Sequence, residues 1–108
     1  MDIERQGTTA RYSDLVIHNG VVYTVEVPAT AGADIRTQTA EVLASLEGLL
    51  ARAGASKGRI LMATVYMNEV WDAWVPAGTA PARACVQVAG LAHPGWRVEI
   101  ALTAAVAG

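Results

Sequence analysis

The sequence predicts a single domain of the α+β class. Three observations favour this class: a hairpin signal near the start, one long amphipathic helix in the middle, and two strand-like segments towards the end. The predicted order, β-β-α-β-α-β-β, mixes strands and helices without the regular βαβ alternation of a parallel sheet. The chain has 108 residues, so residues 1–108 are expected to form one domain.

The first two strands are predicted over residues 12–18 and 21–27. Asn19 and Gly20 join them, and an Asn-Gly pair accepts the positive φ angles of a two-residue hairpin turn. Pro28 ends the second strand because it has no amide hydrogen for the sheet ladder. This segment therefore predicts an antiparallel hairpin.

A long helix is predicted from Asp34, a suitable N-cap, to about Ala53. Gly54 suits the left-handed position that commonly follows a helix end. Its apolar residues follow the three- and four-residue spacing of one helical face, namely Val42, Leu43, Leu46, Leu49 and Leu50. The helix is therefore expected to bury this face in the core.

The second half of the chain predicts three strands and a short helix. Residues 59–67 are largely apolar, which predicts a strand buried on both faces. The short helix is predicted over 69–75. Two final strands are predicted over 82–90 and 96–106, with 93–95 as the turn between them.

Composition limits the classes of partner and location. Hydrophobic residues make up 53% of the chain and charged residues 17%, more apolar surface than a small monomer can hide, so self-association is expected. The net charge is -2 and the basic residues are scattered, which gives no support to nucleic-acid binding. The single cysteine, the polar start and the lack of a membrane-length apolar run predict a soluble, cytoplasmic protein without membrane contact.

Arg83 and Glu99 are the charged residues that stand out within predicted strands. Side chains alternate across a strand, so Arg83 shares a face with Cys85, while the alanines beside it form a small apolar face expected to pack on helices. Glu99 lies opposite Val98 and Ile100, among apolar neighbours, where a charge is costly if buried alone. A charged residue within a predicted strand can form a structural ion pair or can belong to a functional site, and structural ion pairs are the more common of the two.

The predicted strand pairing sets a condition on any site that uses both charges. In a plain hairpin turning at 93–95, Arg83 and Glu99 would lie roughly 20 Å apart. They can share a site only if the two strands are not direct neighbours, or if the site forms between subunits.

Other candidate groups have simpler explanations. Cys85 has a cation nearby, which can lower a thiol pKa, but a lone cysteine is more often a packed residue than a nucleophile. His18 and His93 lack ligand spacing, so no metal is expected. Trp71 and Trp74 lie on one side of the predicted short helix and favour packing over base stacking.

Two segments carry a family resemblance. The run Pro81–Val88, which contains Arg83, and the later Val98–Ile100, which contains Glu99, resemble the C-terminal signature of the Rid family, also called YjgF or endoribonuclease L-PSP. The helix segment Gln38–Leu43, the Ala53–Ala55 turn and the strand Ala63–Met67 are also similar to that family. The resemblance covers nearly the whole chain.

The resemblance implies a chorismate-mutase-like fold, a mixed sheet packed against two helices, which assembles as a homotrimer with clefts between subunits. It implies that Arg83 binds a substrate carboxylate, for which the two-pronged guanidinium is suited, and that Glu99 orients a water molecule. Ala84 and Cys85 flank the arginine in this expected site. The implied activity is hydrolysis of small 2-imino or enamino acids, such as 2-aminoacrylate, to 2-keto acids and ammonia without a cofactor.

The sequence departs from the family pattern at two places. Thr24 and Val25 occupy the positions where the family has Ser-Gly or Ala-Gly lining the site, and Val25 does not adopt a glycine conformation cheaply. The segment after Met67 is short, which removes a wall of the cleft. Tyr12 corresponds to a site tyrosine.

Three alternatives to the deaminase accompany this resemblance. The shortened segment also fits an enzyme that acts on a larger substrate in a biosynthetic pathway. A non-catalytic trimer that binds small molecules is the second alternative. Ribonuclease activity ranks last because the sequence has no basic groove.

Overall fold

The computed structural model describes residues 2–66 and 78–107, which form one sheet and one long helix. The elements in chain order are β1 (Glu4–Gln6), β2 (Leu15–His18), β3 (Val21–Glu26), α1 (Ile35–Arg52), a 3-10 turn (Lys57–Arg59), β4 (Ile60–Val65), β5 (Ala82–Cys85) and β6 (Ile100–Ala105). The predicted short helix, 69–75, lies outside the described residues. Within the described ranges no helix has the length and hydrophobicity that crossing a membrane requires.

The six strands form a single mixed sheet in the order β1-β2-β3-β6-β4-β5. All neighbouring strands are antiparallel except β4 and β5, which are parallel. Strand β6 is the last in sequence and lies between β3 and β4, with both of which it pairs. The predicted α+β class, with a mixed sheet, is confirmed.

The predicted hairpin is confirmed in β2 and β3, although β2 begins at Leu15 rather than at residue 12. Asn19 and Gly20 have φ angles of 52° and 77°, so both central residues of the turn are left-handed, as an Asn-Gly hairpin requires. Strand β1 was not predicted from the sequence. It is three polar residues long and pairs only with β2, so its stability comes from the ladder rather than from buried side chains.

The long helix also follows its prediction. The Asp34 carboxylate accepts a hydrogen bond of 2.7 Å from the backbone N–H of Thr37, which is the capping arrangement expected from the sequence. Hydrogen bonding from Thr37 lowers the pKa of Asp34 below its ordinary value, because it favours the ionised carboxylate. Gly54 follows the helix with a φ of 78°.

The core lies between α1 and one face of the sheet. All five predicted apolar residues of the helix are buried, and they pack against alternate residues of β2, β3, β4 and β6. The sheet side of this core consists of Leu15, Val22, Ile60, Ala63, Val65, Ile100, Leu102 and Ala104, with Val98 just before β6.

Two predictions about the later strands are wrong. Strand β4 is not buried on both faces, since Leu61 and Met62 are 50% and 42% exposed. The segments predicted as a hairpin are not neighbours, because β4 lies between β5 and β6. Both strands are also shorter than predicted, since β5 ends at Cys85 and β6 begins at Ile100, and residues 86–99 belong to no strand.

Candidate functional site

The arginine set comprises Arg83, Ala84, Cys85 and Glu99, the candidate residues in β5 and immediately before β6. The first three lie in β5, which is the edge strand of the described sheet and pairs there with β4 alone. The side chains of Arg83 and Cys85 are exposed and that of Ala84 is half-buried. Cys85 is the only cysteine in the chain.

Glu99 lies immediately before β6 and continues its ladder. Its carbonyl accepts a hydrogen bond of 3.0 Å from the N–H of Tyr66 at the end of β4. Val98 and Ile100 are buried on the helix side, so alternation directs the half-buried Glu99 to the other face, as predicted.

The expectation that the alanine face of β5 packs against helices is wrong. In the parallel ladder Arg83 pairs with Ala63, which is buried under α1, whereas Ala84 pairs with Thr64 on the uncovered face. Residues paired across a ladder share a face, so the arginine leaves the sheet on the helix side. It still reaches solvent because β5 is the outermost strand.

Arg83 and Glu99 are closer than a hairpin would place them, but they are not adjacent. Arg83 is level with Leu102, three residues from Glu99, and β4 separates the two strands. With strands about 4.8 Å apart and about 3.3 Å per residue, the two backbone positions lie roughly 14 Å apart. Because the side chains leave on different faces, they can approach one ligand only around the end of β4.

The tyrosine set comprises Tyr12, Thr24 and Val25, at the other side of the sheet. Tyr12 lies in the loop between β1 and β2 and is 65% exposed. The hydroxyl of Thr24 is committed to a hydrogen bond of 2.7 Å with the carbonyl of Asp14. Val25 is 49% exposed and pairs with Ala101.

Val25 has an ordinary strand conformation. Asn19 is the one non-glycine residue with a positive φ in the part of the chain that the structure describes. The valine therefore replaces the expected glycine without backbone strain, and its side chain occupies the space that a glycine would leave.

One protomer keeps Arg83 apart from the tyrosine set. Arg83 is level with Thr24 across β4 and β6, three strand spacings away, which is roughly 14 Å. Tyr12 precedes β2, one strand further, on the far side of β3. Glu99 is two residues before Ala101, the partner of Val25, so its backbone lies roughly 8 Å from Val25. Within one chain a small ligand can therefore reach Glu99 and Val25, but not Arg83 and Tyr12.

The open face is the side of the sheet opposite α1, formed by Val16, Tyr23, Val25, Met62, Thr64, Ala101 and Thr103. It encloses a concave cavity of about 360 Å³ whose lining contains no charged residue. Tyr23, Val25 and Met62 are each more than 40% exposed there. A continuous apolar surface of this kind is typical of a protein interface.

The β4-end cleft is a second concavity, of about 280 Å³, lined by Tyr66, Gln87, Val88, Ala89, Gly90, Leu91, Trp96 and Arg97. It lies beyond the end of β4, between the segment that follows β5 (residues 87–91) and the segment that precedes β6 (residues 96–97). The N–H of Val86 still bonds to the carbonyl of Val65 at 2.7 Å, and beyond that point the ladder stops. The cleft therefore lies beyond the carboxyl ends of β4 and β5, and its lining residue Tyr66 is bonded to the backbone of Glu99.

Gln38 holds the loop that forms one wall of this cleft, and sequence analysis did not identify this role. Its side chain is fully buried; Nε2 donates to the carbonyl of Gly95 at 2.7 Å, and Oε1 accepts from the N–H of Arg97 at 2.7 Å. The signal was present, because Gln38 lies four residues before Val42 on the buried stripe of α1. A polar residue there must find partners.

No metal site is indicated in the two described ranges. They contain no group of three or more His, Cys, Asp or Glu side chains arranged to hold an ion. The groups that could act on a ligand are therefore the guanidinium of Arg83, the carboxylate of Glu99 and the cleft residues around them.

The fold and the sequence agree with one family. The sequence profile of the endoribonuclease L-PSP family matches residues 3–106, and the chain belongs to this family. The resemblance noted in the sequence is thereby confirmed.

Individual relatives agree with this assignment. The chain is 45% identical over 115 positions to the RutC family protein YoaB of Escherichia coli K12, covering 98% of this chain and all of the relative. A crystal structure of a YjgF family member from Neisseria meningitidis superposes with a TM-score of 0.91 at 43% identity, covering 100% of this chain and 98% of the other. A protein from Salmonella typhimurium, described as a putative translation initiation inhibitor, gives 0.85 at 42% identity, with 96% and 97% covered.

Proposed function

We propose that the protein is a cofactor-independent deaminase that hydrolyses small 2-imino acids of the 2-aminoacrylate type to 2-keto acids and ammonia. We propose further that it works as a homotrimer with its sites between protomers. The observation that carries the proposal is the separation of Arg83 from Tyr12, Thr24 and Val25 by at least three strand spacings across one sheet. A second copy is the simplest way to unite them.

The open face supports self-association. Its apolar residues, with Tyr23 and Val25 about half exposed, are costly to leave in water. In a cyclic trimer one part of this surface would pack against a different part of the next copy, which would cover the area and bring the Val25 side of one protomer towards the Arg83 side of another. The trimer is the assembly implied by the family resemblance.

The proposed chemistry requires two roles. Arg83 would hold the substrate carboxylate through a bidentate, charge-assisted pair. Glu99 would take a proton from a water molecule as its oxygen attacks the electrophilic imine carbon, and would then return the proton to the nitrogen. Collapse of the resulting carbinolamine forms the 2-keto acid and releases ammonia, so no redox or metal partner is required.

Ammonia release from 2-aminoacrylate generated in situ tests the activity. Arg83→Met and Glu99→Gln are each expected to lower kcat/KM at least tenfold. Arg36→Met and Glu47→Gln are matched controls, because both residues are exposed on α1 away from the arginine set. Wild-type protein no faster than Arg83→Met would refute the deaminase.

Sedimentation velocity tests the assembly. Val25→Asp places a charge on the open face and is expected to shift the protein towards monomer, whereas Ala44→Asp on the exposed side of α1 leaves the assembly intact. A wild-type monomer at all working concentrations would refute the trimer.

Co-expression tests whether sites form between chains. Arg83→Met and Tyr12→Ala damage different sets, so random mixing leaves about a quarter of the sites with both sets intact. The mixed assembly is expected to regain activity that neither pure variant has. No recovery in a confirmed mixed trimer would place both sets in one protomer.

A second candidate is a deaminase-like enzyme for a larger substrate. The alignment with the Escherichia coli relative spans 115 positions and covers all of that protein, whereas this chain has 108 residues. The relative therefore contains residues with no counterpart here, in keeping with the short segment expected after Met67. Faster turnover of bulky 2-imino acids than of 2-aminoacrylate would favour this candidate.

A further inference from the structure

We propose that Arg97 is a second carboxylate-binding residue, so that the enzyme prefers 2-imino acids whose side chain carries its own carboxylate. This inference rests on the proposed deaminase function and names the substrate class of the same site. It begins from the β4-end cleft, whose lining includes Arg97 together with the aromatic residues Tyr66 and Trp96.

The cleft is connected to the proposed chemistry through the backbone. Tyr66 donates its N–H to the carbonyl of Glu99, so one wall of the cleft is bonded to the residue that would handle water. Arg97 and Glu99 are two residues apart in an extended segment, which places both side chains on the same side, with backbones roughly 7 Å apart. A substrate held at Glu99 would therefore extend towards Arg97.

Arg97 is an exposed cation on a fixed backbone. Its N–H is bonded to Oε1 of the buried Gln38 at 2.7 Å, and neighbouring Gly95 donates its N–H to Nδ1 of His93 at 2.9 Å. Across residues 2–66 and 78–107 its guanidinium takes part in no ion pair. A guanidinium that is exposed beside the cleft and forms no ion pair among the described residues is available to bind a ligand carboxylate.

Two cations belong to the chain segments that continue into the walls of this cleft. Arg97 lines the cleft itself, whereas Arg83 lies in β5, before the wall formed by residues 87–91. Arg83 is level with Leu102, five residues from Arg97, and β4 lies between the two strands, so the backbones are roughly 19 Å apart. Long arginine side chains can cover part of that span, and a four- or five-carbon diacid can bridge the rest. The small cleft volume of about 280 Å³ also favours a short ligand.

The role proposed for Arg83 assigns the two ends of the substrate. Because Arg83 would hold the carboxylate next to the imine carbon, the distal carboxylate is left for Arg97. Tyr66 and Trp96 line the cleft and add apolar surface against which the methylene groups between the two carboxylates can pack.

The test compares two substrates in three proteins. Imines are generated in situ from glutamate, which gives a dicarboxylate, and as 2-aminoacrylate, which has one carboxylate. Arg97→Met is expected to lower kcat/KM for the glutamate-derived imine at least tenfold and to change that for 2-aminoacrylate less than twofold. Arg36→Met, which removes an exposed arginine from α1, should change neither value. An unchanged ratio of the two substrates in Arg97→Met would overturn the inference.

A binding measurement separates this inference from failure of the deaminase itself. If wild-type protein hydrolyses no imine, 2-oxoglutarate and pyruvate serve as unreactive di- and monocarboxylate probes, followed by chemical-shift changes of the Trp96 indole N–H. Tighter binding of 2-oxoglutarate, lost in Arg97→Met, would support the second carboxylate site without deamination. Equal affinity for both probes in wild-type protein would refute it.

Discussion

Replacement of Gln38 by methionine tests the best-defined polar arrangement in the structure. Methionine has nearly the same length and volume, so the substitution removes hydrogen bonds and leaves the packing close to intact. The Gln38 amide lies between the carbonyl of Gly95 and the N–H of Arg97, each 2.7 Å away. Weaker bonds of 3.1 and 3.2 Å to Ala33 and Thr30 share the same two amide hydrogens.

The expected loss of unfolding free energy depends on which hydrogen bonds the carbonyl of Gly95 and the N–H of Arg97 keep after the substitution. The carbonyl of Gly95 keeps a hydrogen bond of 3.0 Å from the N–H of Gly32, so its loss is about 0.5–1.5 kcal/mol. The N–H of Arg97 loses its partner altogether, and an unsatisfied backbone group costs about 1–3 kcal/mol. Gln38→Met should therefore lower the free energy of unfolding by about 1.5–4.5 kcal/mol.

Urea denaturation at a fixed protomer concentration measures this loss, since assembly would make the midpoint depend on concentration. Gln87→Met is the matched control: the same substitution at an exposed position should change the unfolding free energy by less than about 0.5 kcal/mol. A loss below about 0.5 kcal/mol in Gln38→Met would mean that water replaces the amide readily, and the argument for a locked loop would fail.

Three further predictions concern the core, the turns and the helix cap. Leu46→Ala should lower the unfolding free energy by about 2–5 kcal/mol in the same urea assay, because Leu46 is fully buried between α1 and the sheet; a loss below about 1 kcal/mol would contradict this packing. Gly20→Ala should lower the unfolding free energy by about 1 kcal/mol, because Gly20 has a positive φ. Gly7→Ala should lower it more, because Gly7 also has a positive φ and the added methyl would overlap the Asp14 carboxylate. A lower melting temperature for Gly20→Ala than for Gly7→Ala would be inconsistent with the structure. The pKa of Asp34 is lowered in the folded state, so the stabilisation by this carboxylate is present above its unfolded pKa and is lost as the pH falls through its folded pKa. Asp34→Asn should therefore reduce the loss of unfolding free energy in acid. An unchanged dependence of the unfolding free energy on pH would contradict the capping argument.

Local sequence patterns predicted the first hairpin and the long helix. The order and pairing of the later strands depend on contacts between distant residues, which local patterns do not specify. The Asn19-Gly20 hairpin and the helix capped by Asp34 depend on neighbouring residues, so both were predictable. The segment 93–95 has the composition of a hairpin turn. It is instead part of a loop bonded to Gly32 and Gln38, because β4 pairs with β6 and takes the position that β5 would have occupied.

The residues of the candidate site could be chosen from the sequence, but their arrangement could not. Arg83 and Glu99 could be singled out as charges within predicted strands, and their roles stay a prediction. Their separation by β4, and the departure of Arg83 on the helix side, depend on a parallel register that no local signal specifies. The role of Gln38 was missed because a buried amide cannot be interpreted until its distant partners are known.

The central place of β6 in the sheet has a consequence for how the chain acquires its structure. The strand made last of the six is the one that joins the β1–β3 hairpin region to β4 and β5. During synthesis the earlier strands cannot complete the sheet, and the unpaired edges of β3 and β4 stay available for wrong partners until β6 emerges. Folding is expected to be slow for a chain of this length and to finish in a single late step, in which β6 inserts between the two halves.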